Sequence, residues 1–433
     1  MPELVSANKR TGVTRNQVLF VLFCAYVFFA PFEDLLEYLY GIKTIFKPYR
    51  LFGILILLFG FFYDFKRKPF FVFKPDILVV LFQGYGVFYT FLLFNLGFHI
   101  SFGSFLNSQI QMTFLTLIFL TFKRLDLTYK QINRILAFMC AGIIINGLII
   151  LVDFYILQIS SREKGLSDNP NYAAYGMAIA TVFLTYLLMK NRFSLLKLKN
   201  LFYFGLVGVM FFTILATGSR GGFILFAFCM FLMTIVLSDT QTKVRLIPIF
   251  GAVLLVVLFN TNFQALTEET TTFNRLQGAT QDIRVPLAKA GFAAFVDTYG
   301  MGLGVSQMLD RGTFAYYIGP VDRNLVYAIE VRDKGLSLHN MYIEVAVETG
   351  VIGIGLWTYF LFLTAKFQWD KFRLNDKNRP FHRMLFVCIV GLLLFAMTGK
   401  GLLGALFWFV ITVCSKEYYD EEDLYPDQEI ISE

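Results

Sequence analysis

Residues 202–237 read FYFGLVGVMFFTILATGSRGGFILFAFCMFLMTIVL, with Arg220 as the single charge. A bilayer-spanning helix needs about 20 apolar residues, so this stretch is too long for one span and fits two. Thr217-Gly218-Ser219-Arg220-Gly221-Gly222 supplies the break, because clustered glycines interrupt a helix and permit a tight turn. The reading is a helical hairpin in lipid, with spans near 199–217 and 221–238 and a very short turn on one face.

Working outward, the rest of the chain repeats this pattern. Of 433 residues, 57% are apolar, 18% are aromatic and only 16% are charged. At about 20 residues per span that is apolar material for about a dozen helices, with little left for a soluble core. The apolar runs are continuous rather than alternating, which argues against an outer-membrane barrel. The other spans are expected near 17–32, 50–64, 76–96, 106–122, 135–159, 171–189, 246–260, 341–365, 383–398 and 401–415. The last two are split at Thr398-Gly399-Lys400-Gly401. The fold class is therefore all-α: a polytopic integral membrane protein with about 12 transmembrane helices.

Charge sets the orientation. The net charge of +7 is read as positive-inside bias rather than as affinity for nucleic acid. With the N-terminus in the cytoplasm, 24 of the 38 Lys and Arg residues fall inside. They include Lys66-Arg67-Lys68, Lys123-Arg124 and the group from Lys366 to Arg383. Residues 1–260 then carry helices one to nine, 261–340 form one large periplasmic loop, 341–415 carry helices ten to twelve, and 416–433 form an acidic cytoplasmic tail. Residues 1–16 are polar and the following apolar run has no small-residue cleavage site, so that run is read as a first span rather than a cleaved signal. Cys24, Cys140, Cys229, Cys388 and Cys414 all lie in apolar runs and are read as small buried residues without disulfides or metal.

A structureless loop of about 80 residues is rare in a compact protein and usually functional. Within it Ile283, Leu287, Gly291 and Phe295 recur at helical spacing, and Pro286 falls where a first turn tolerates it. An amphipathic helix is expected over 282–298, ended by Gly300, Gly302 and Gly304.

Few residues can carry chemistry. There are three histidines. His99 lies in an apolar external loop, and His382 in a basic cytoplasmic loop where it is expected to be solvated. His339 leaves the long loop just before the tenth span, where an imidazole can accept a proton near neutral pH; the plainer reading is an interfacial cap. Arg220 offers a planar fork suited to phosphate oxygens, against a snorkelling helix-end anchor. Arg284 opens the loop helix and is otherwise a solvated face residue. Arg162 and Lys164 precede Asn169-Pro170-Asn171 on the same side and add positive potential there. Glu344 and Glu348 lie four apart in the tenth span. Carboxylates at depth are costly, so they face a polar interior or sit near the interface; a hydrogen-bonding role is the plainer reading and an acid/base pair the sharper one. No external Asp-x-Asp pair and no Gly-x-x-x-x-Gly-Lys-Ser/Thr loop occurs, so neither a metal-dependent sugar transferase nor an ATP-driven enzyme has its ligand set.

These residues together resemble the bacterial O-antigen ligase and polymerase superfamily. Ser219-Arg220-Gly221-Gly222 opening an apolar helix is similar to that family's Ser-Arg-Gly-Gly signature. His339-Asn340, nine residues, then Gly350-Val351-Ile352-Gly353 resembles the ligase pattern His-(Asn/Ser/Gln)-x9-Gly-x-x-(Gly/Thr/Tyr). Asn169-Pro170-Asn171 and Arg284 with Gly302-Leu303-Gly304 look like further family features. The resemblance runs from about 160 to 400. It implies a GT-C-like bundle with a large external loop over the active site. It also implies a glycan donor on undecaprenyl pyrophosphate at the periplasmic face of the inner membrane. The acceptor would be lipid A–core for a ligase, or a second lipid-linked glycan for a polymerase or exopolysaccharide enzyme. His339 then becomes the general base. Arg220, Arg284 and Arg162 hold the pyrophosphate, and Ser219, Gly221, Gly222, Asn340, Glu344, Gly350, Gly353, Asn169 and Asn171 support them. No metal or other cofactor is implied. The histidine motif takes the ligase form, which favours lipopolysaccharide ligation over polysaccharide polymerisation. A transporter of lipid-linked glycans is the alternative from another class. It calls for charges along cavity-lining helices and for internal repeats, whereas the distinctive charges here gather on one face.

Overall fold

The computed structural model describes residues 15–41, 47–61, 75–159, 163–190, 197–237, 243, 283–330, 336–374, 377–399 and 401–424. Its helices are α1 (Arg15–Phe29), α2 (Leu35–Tyr40), α3 (Pro48–Ile56), α4 (Asp76–Asn95), α5 (Phe102–Lys123), α6 (Tyr129–Leu151), α7 (Pro170–Lys190), α8 (Leu198–Ala216) and α9 (Arg220–Phe231). Then follow α10 (Arg284–Asp297), α11 (Arg311–Ile318), α12 (Arg323–Glu330), α13 (Met341–Arg373), α14 (Arg379–Ala396), α15 (Ala405–Cys414) and α16 (Glu421–Leu424). Among the described residues there is no strand, only a bridge between Thr128 and Tyr419. The fold is an all-α polytopic membrane protein.

Among the described residues seven helices are long and apolar enough to cross a bilayer: α4, α5, α6 with its continuation to Ile156, α7, α8, α13 and α14. Shorter apolar helices lie at Asn16–Phe29, Pro48–Gly60, Arg220–Thr234 and Ala405–Cys414. Eleven of the twelve expected spans thus coincide with an apolar helix. The ninth, 246–260, lies outside the described residues.

Helix α7 is the hub. It packs against α6, α8, α9 and α14, and Ala173 through Leu184 are buried without interruption. Lipid is no poorer a solvent for apolar side chains than a neighbouring helix, so close packing of small residues drives association. Ala173, Ala174, Gly176, Ala178 and Ala180 supply that surface. Polar groups in this core are satisfied locally: the hydroxyls of Thr181 and Thr213 donate to the Met177 and Val209 carbonyls at 2.8 Å each. All five cysteines are free and buried, as their apolar settings suggest.

One expectation, that for His382, changes in the region that also holds Lys123. Lys123 is buried and pairs with the equally buried Asp76 at 3.3 Å, and it donates to the Ser415 carbonyl. His382 is buried rather than solvated. Its ring nitrogens meet the Tyr129 hydroxyl at 3.0 Å and Gln368 Oε1 at 2.9 Å. The basic flanks of His382 conceal that the start of α14 turns its ring inward against α6 and α13.

Residues 283–330 build a small second core from Leu287, Ala290, Ala294, Met308, Phe314 and Ile318, closed by Leu338 and Val347. The helix expected at 282–298 is α10. Leu287 and Gly291 of its expected apolar stripe are buried, while Ile283 is exposed. Cysteine placed at Tyr316, which is exposed on α11, is expected to react with an impermeant thiol reagent in intact spheroplasts. Labelling only after lysis would reverse the orientation inferred from charge.

Candidate active site

His339 is held in an unusual conformation by its neighbours. Its φ is +53°, a left-handed setting that costs a residue with a Cβ about 1–3 kcal/mol. Leu338 is buried in the loop core. Asn340 caps α13, its Oδ1 accepting from the Tyr342 and Ile343 amides at 3.0 and 3.1 Å. Between these two anchors His339 is half-buried. The His339 amide donates to Ser337 Oγ at 3.4 Å, and the Ser337 hydroxyl donates to Glu344 at 3.3 Å. Glu344 is buried one turn into a 33-residue helix. Beyond its interruption at Gly350 the helix continues to Arg373, about 35 Å at 1.5 Å per residue, which by itself spans the ~30 Å of a hydrocarbon core. The carboxylate therefore sits at the helix mouth rather than at mid-membrane.

Two cavities meet at His339. One, of about 330 Å³, is polar; Asn169, Asn171, Glu33, Lys47, Arg50 and Asp168 are among its walls. The other is an open groove of about 720 Å³ along α10. Arg284 and Lys289 line it, with Val285, Phe292, Ile343 and Met397 as an apolar floor.

The Asn-Pro-Asn and Ser-Arg-Gly-Gly segments are joined to each other. Asn169 Oδ1 accepts from the Asn171 and Tyr172 amides at 2.9 and 3.1 Å, starting α7. Ser219 Oγ accepts from the Gly222 amide at 3.1 Å, starting α9, and its hydroxyl donates to Asn171 Oδ1 at 2.8 Å. A Cβ on Gly222 would lie 2.2 Å from Ala174 Cβ, and one on Gly221 would lie 2.9 Å from Thr398 Oγ1. The two helix starts thus touch. Arg220 is half-buried in the first turn of α9 and lines neither cavity; its segment reaches the polar one through Asn171. Arg162 lies outside the described residues.

The glycine motif has a backbone role. Gly350 has φ +64° and ψ −165°, which breaks α13 internally. A break strands helix carbonyls and amides that must find partners. The Gly300–Gly304 turn supplies them. The Leu303 amide donates to the Val347 carbonyl at 2.7 Å, the Gly304 amide to the Glu348 carbonyl at 2.9 Å, and the Val351 amide to the Gly300 carbonyl at 2.9 Å. A Cβ on Gly350 would lie 2.3 Å from the Met301 carbonyl oxygen, and one on Gly353 1.9 Å from Thr349 Oγ1. Glu348 is buried beside this junction.

Sequence reading missed the contribution of the first 150 residues. Glu33, Lys47, Arg50, Asn107 and Gln111 all line the polar cavity. Lys47 pairs with Glu33 at 3.2 Å, and Lys164 with Asp34 at 2.7 Å. Burial pushes the Glu33 carboxyl above the usual carboxylate range; Lys47 pulls the other way, and Asp168 and Asp34 add to the rise. Burial also favours a neutral Lys47, but the attraction of Glu33 and Asp168 outweighs it and raises the amine above its ordinary value. The available signal was charge at the mouths of the first two apolar runs. Among the described residues no group of three or more His, Cys, Asp or Glu side chains is arranged to hold a metal.

A membrane bundle one end of which gathers a histidine, arginines and a polar cavity is the frame of an enzyme acting at a bilayer surface. Residues 205–358 match the family model described as O-Antigen ligase, a span that holds Ser219–Gly222, Arg284, His339 and Gly350. That match supports the O-antigen ligase and polymerase superfamily, and with it a membrane enzyme of the O-antigen ligase family. No curated protein matches the chain.

Gly350→Ala is expected to lower the melting temperature of the purified protein markedly, since strain of about 1–3 kcal/mol adds to the clash. Gly355→Ala, where a Cβ meets nothing within 4 Å, should leave it unchanged. Equal melting of the two variants would mean the break does not anchor the loop.

Proposed function

We propose that the protein transfers a glycan from undecaprenyl pyrophosphate to an acceptor hydroxyl at the periplasmic face of a bacterial inner membrane, in the manner of an O-antigen ligase whose acceptor is lipid A–core. The observation that carries this reading is that His339 borders two cavities of different chemistry. The groove with Arg284 and Lys289 over an apolar floor suits a lipid carrier with an anionic head. The polar cavity suits an acceptor sugar, and its Lys47 and Arg50 favour an acidic one.

Pyrophosphate is already a good leaving group, so departure needs charge stabilisation more than protonation. In the proposed reaction Arg284 stabilises the charge that develops as the C1–O bond breaks, and Arg220 and Arg162 are assigned to the same task by the family resemblance alone. His339 takes the proton of the attacking hydroxyl. Ser337 and Glu344 hold the His339 backbone in place. Attack opposite the leaving group inverts the anomeric centre, and the chemistry asks for neither metal nor nucleotide. A polymerase would use the same groups and differ only in its acceptor.

The test incubates purified protein with a lipid-linked oligosaccharide and either lipid A–core or a second lipid-linked oligosaccharide, and identifies the product. Transfer to lipid A–core supports ligation; extension of the second lipid-linked glycan alone replaces it with polymerisation. In single-turnover assays His339→Ala should slow transfer by roughly 10²–10⁴ with donor affinity kept. Arg284→Ala should weaken donor binding as well, and Arg284→Lys should restore it only in part. Near-normal turnover by His339→Ala removes the histidine from the mechanism. Excess chelator is expected to leave transfer nearly unchanged; loss of activity restored by magnesium or manganese would overturn the metal-free reading.

A further inference from the structure

A second polar cavity, of about 540 Å³, opens at the end of the bundle opposite His339. Helices α7 and α13 run away from His339 and end at Lys190 and Arg373, and α14 starts its return at Arg379. The cavity lies among the start of α6, the end of α7, the start of α14 and the chain beyond α15.

Its lining carries four basic and three acidic side chains, and the acids all come from one segment. Lys130, Arg134, Lys190 and Lys377 line it. Thr128 and Asn378 line it too, so the positive ends of α6 and α14 both face it. The acids that line it are Asp420, Glu421 and Glu422, beyond α15. Asp420 pairs with Lys377 at 3.1 Å and Glu421 with Lys130 at 3.3 Å, and the lysine side chains of both pairs are at least 60% exposed. Exposed pairs of this kind contribute about 0–1 kcal/mol each. Among the described residues Arg134 and Lys190 make no ion pair.

The segment is firmly held only as far as Tyr419. Tyr418 is buried, Lys416 Nζ donates to the Lys123 carbonyl at 2.8 Å, and the Tyr419 backbone bonds to Leu127 and Tyr129 at 3.2 and 3.1 Å. The three acids that follow rest on weak surface attraction. They are the exchangeable part.

We propose that this cavity is a binding site for a phosphate group, taken by Arg134 and Lys190 and completed by Lys130 and Lys377 as the acidic tip 420–422 lifts away. An arginine fork, three ammonium groups and two helix starts match the oxygens and negative charge of a phosphate group better than a carboxylate. The group comes either from the headgroup of an anionic phospholipid or from a soluble phosphate compound. If the charge-derived orientation holds, this end faces the anionic cytoplasmic leaflet.

The experiment measures binding to the full-length protein in detergent. Phosphatidylglycerol and phosphatidylcholine are compared by native mass spectrometry, and inorganic pyrophosphate is titrated by calorimetry. Phosphatidylglycerol retained over phosphatidylcholine, without pyrophosphate binding, identifies a lipid headgroup. Pyrophosphate binding that is lost in Arg134→Gln with Lys190→Gln and kept in Arg284→Ala identifies a soluble ligand at this cavity. Arg134→Gln with Lys190→Gln should weaken whichever binds by at least about tenfold. Both side chains are exposed, so this variant should melt like the parent. Asp420→Asn with Glu421→Gln and Glu422→Gln should tighten binding. The proposal fails if neither probe binds, if the basic double variant binds as the parent does, or if neutralising the tip leaves affinity unchanged. None of these readouts involves glycan transfer, so they stand apart from the proposed function.

Discussion

A break in the α13 hydrogen-bond ladder at Gly350 organises the half of this protein that holds His339. In lipid an unsatisfied peptide group is worth several kcal/mol, so an interrupted membrane helix must have its freed groups met by other protein. Here the Gly300–Gly304 turn meets them. That places α10 against the first turns of α13 and sets Arg284 and His339 on one groove. The His339 conformation, the Asn340 cap and the Glu344–Ser337 contact all lie within the thirteen residues leading into the break.

The second level of organisation is α7. Its small-residue surface brings α6, α9 and α14 close, and its first turn carries Asn169 and Asn171 to the polar cavity. The Ser219–Asn171 hydrogen bond then ties the α9 start to the same point. The two short polar motifs thus share one place because one buried helix start receives the other.

Much of the bundle was legible in the sequence because hydropathy reports burial in lipid directly. The spans, the free cysteines and the helix after Ile283 follow from apolar runs and spacing. The Gly350 break was visible only as a motif, since a helical run of sequence does not disclose a left-handed φ. Glu33, Lys47 and Arg50 were not legible as cavity residues. They reach Asn169 and His339 through helix packing across more than a hundred residues of chain, which no local pattern encodes. His382 was misread because its neighbours in sequence are basic, whereas its neighbours in space are Tyr129 and Gln368.

The left-handed backbone at residue 339 sets stability against chemistry at a single position. Glycine adopts that conformation at little cost, so the most comfortable residue there is one without a side chain. Under the proposed mechanism the imidazole is what the position exists to present. A selection for thermal tolerance alone would then drift toward glycine at 339 and yield a sturdier, inert protein, the trade-off expected where function depends on a strained residue.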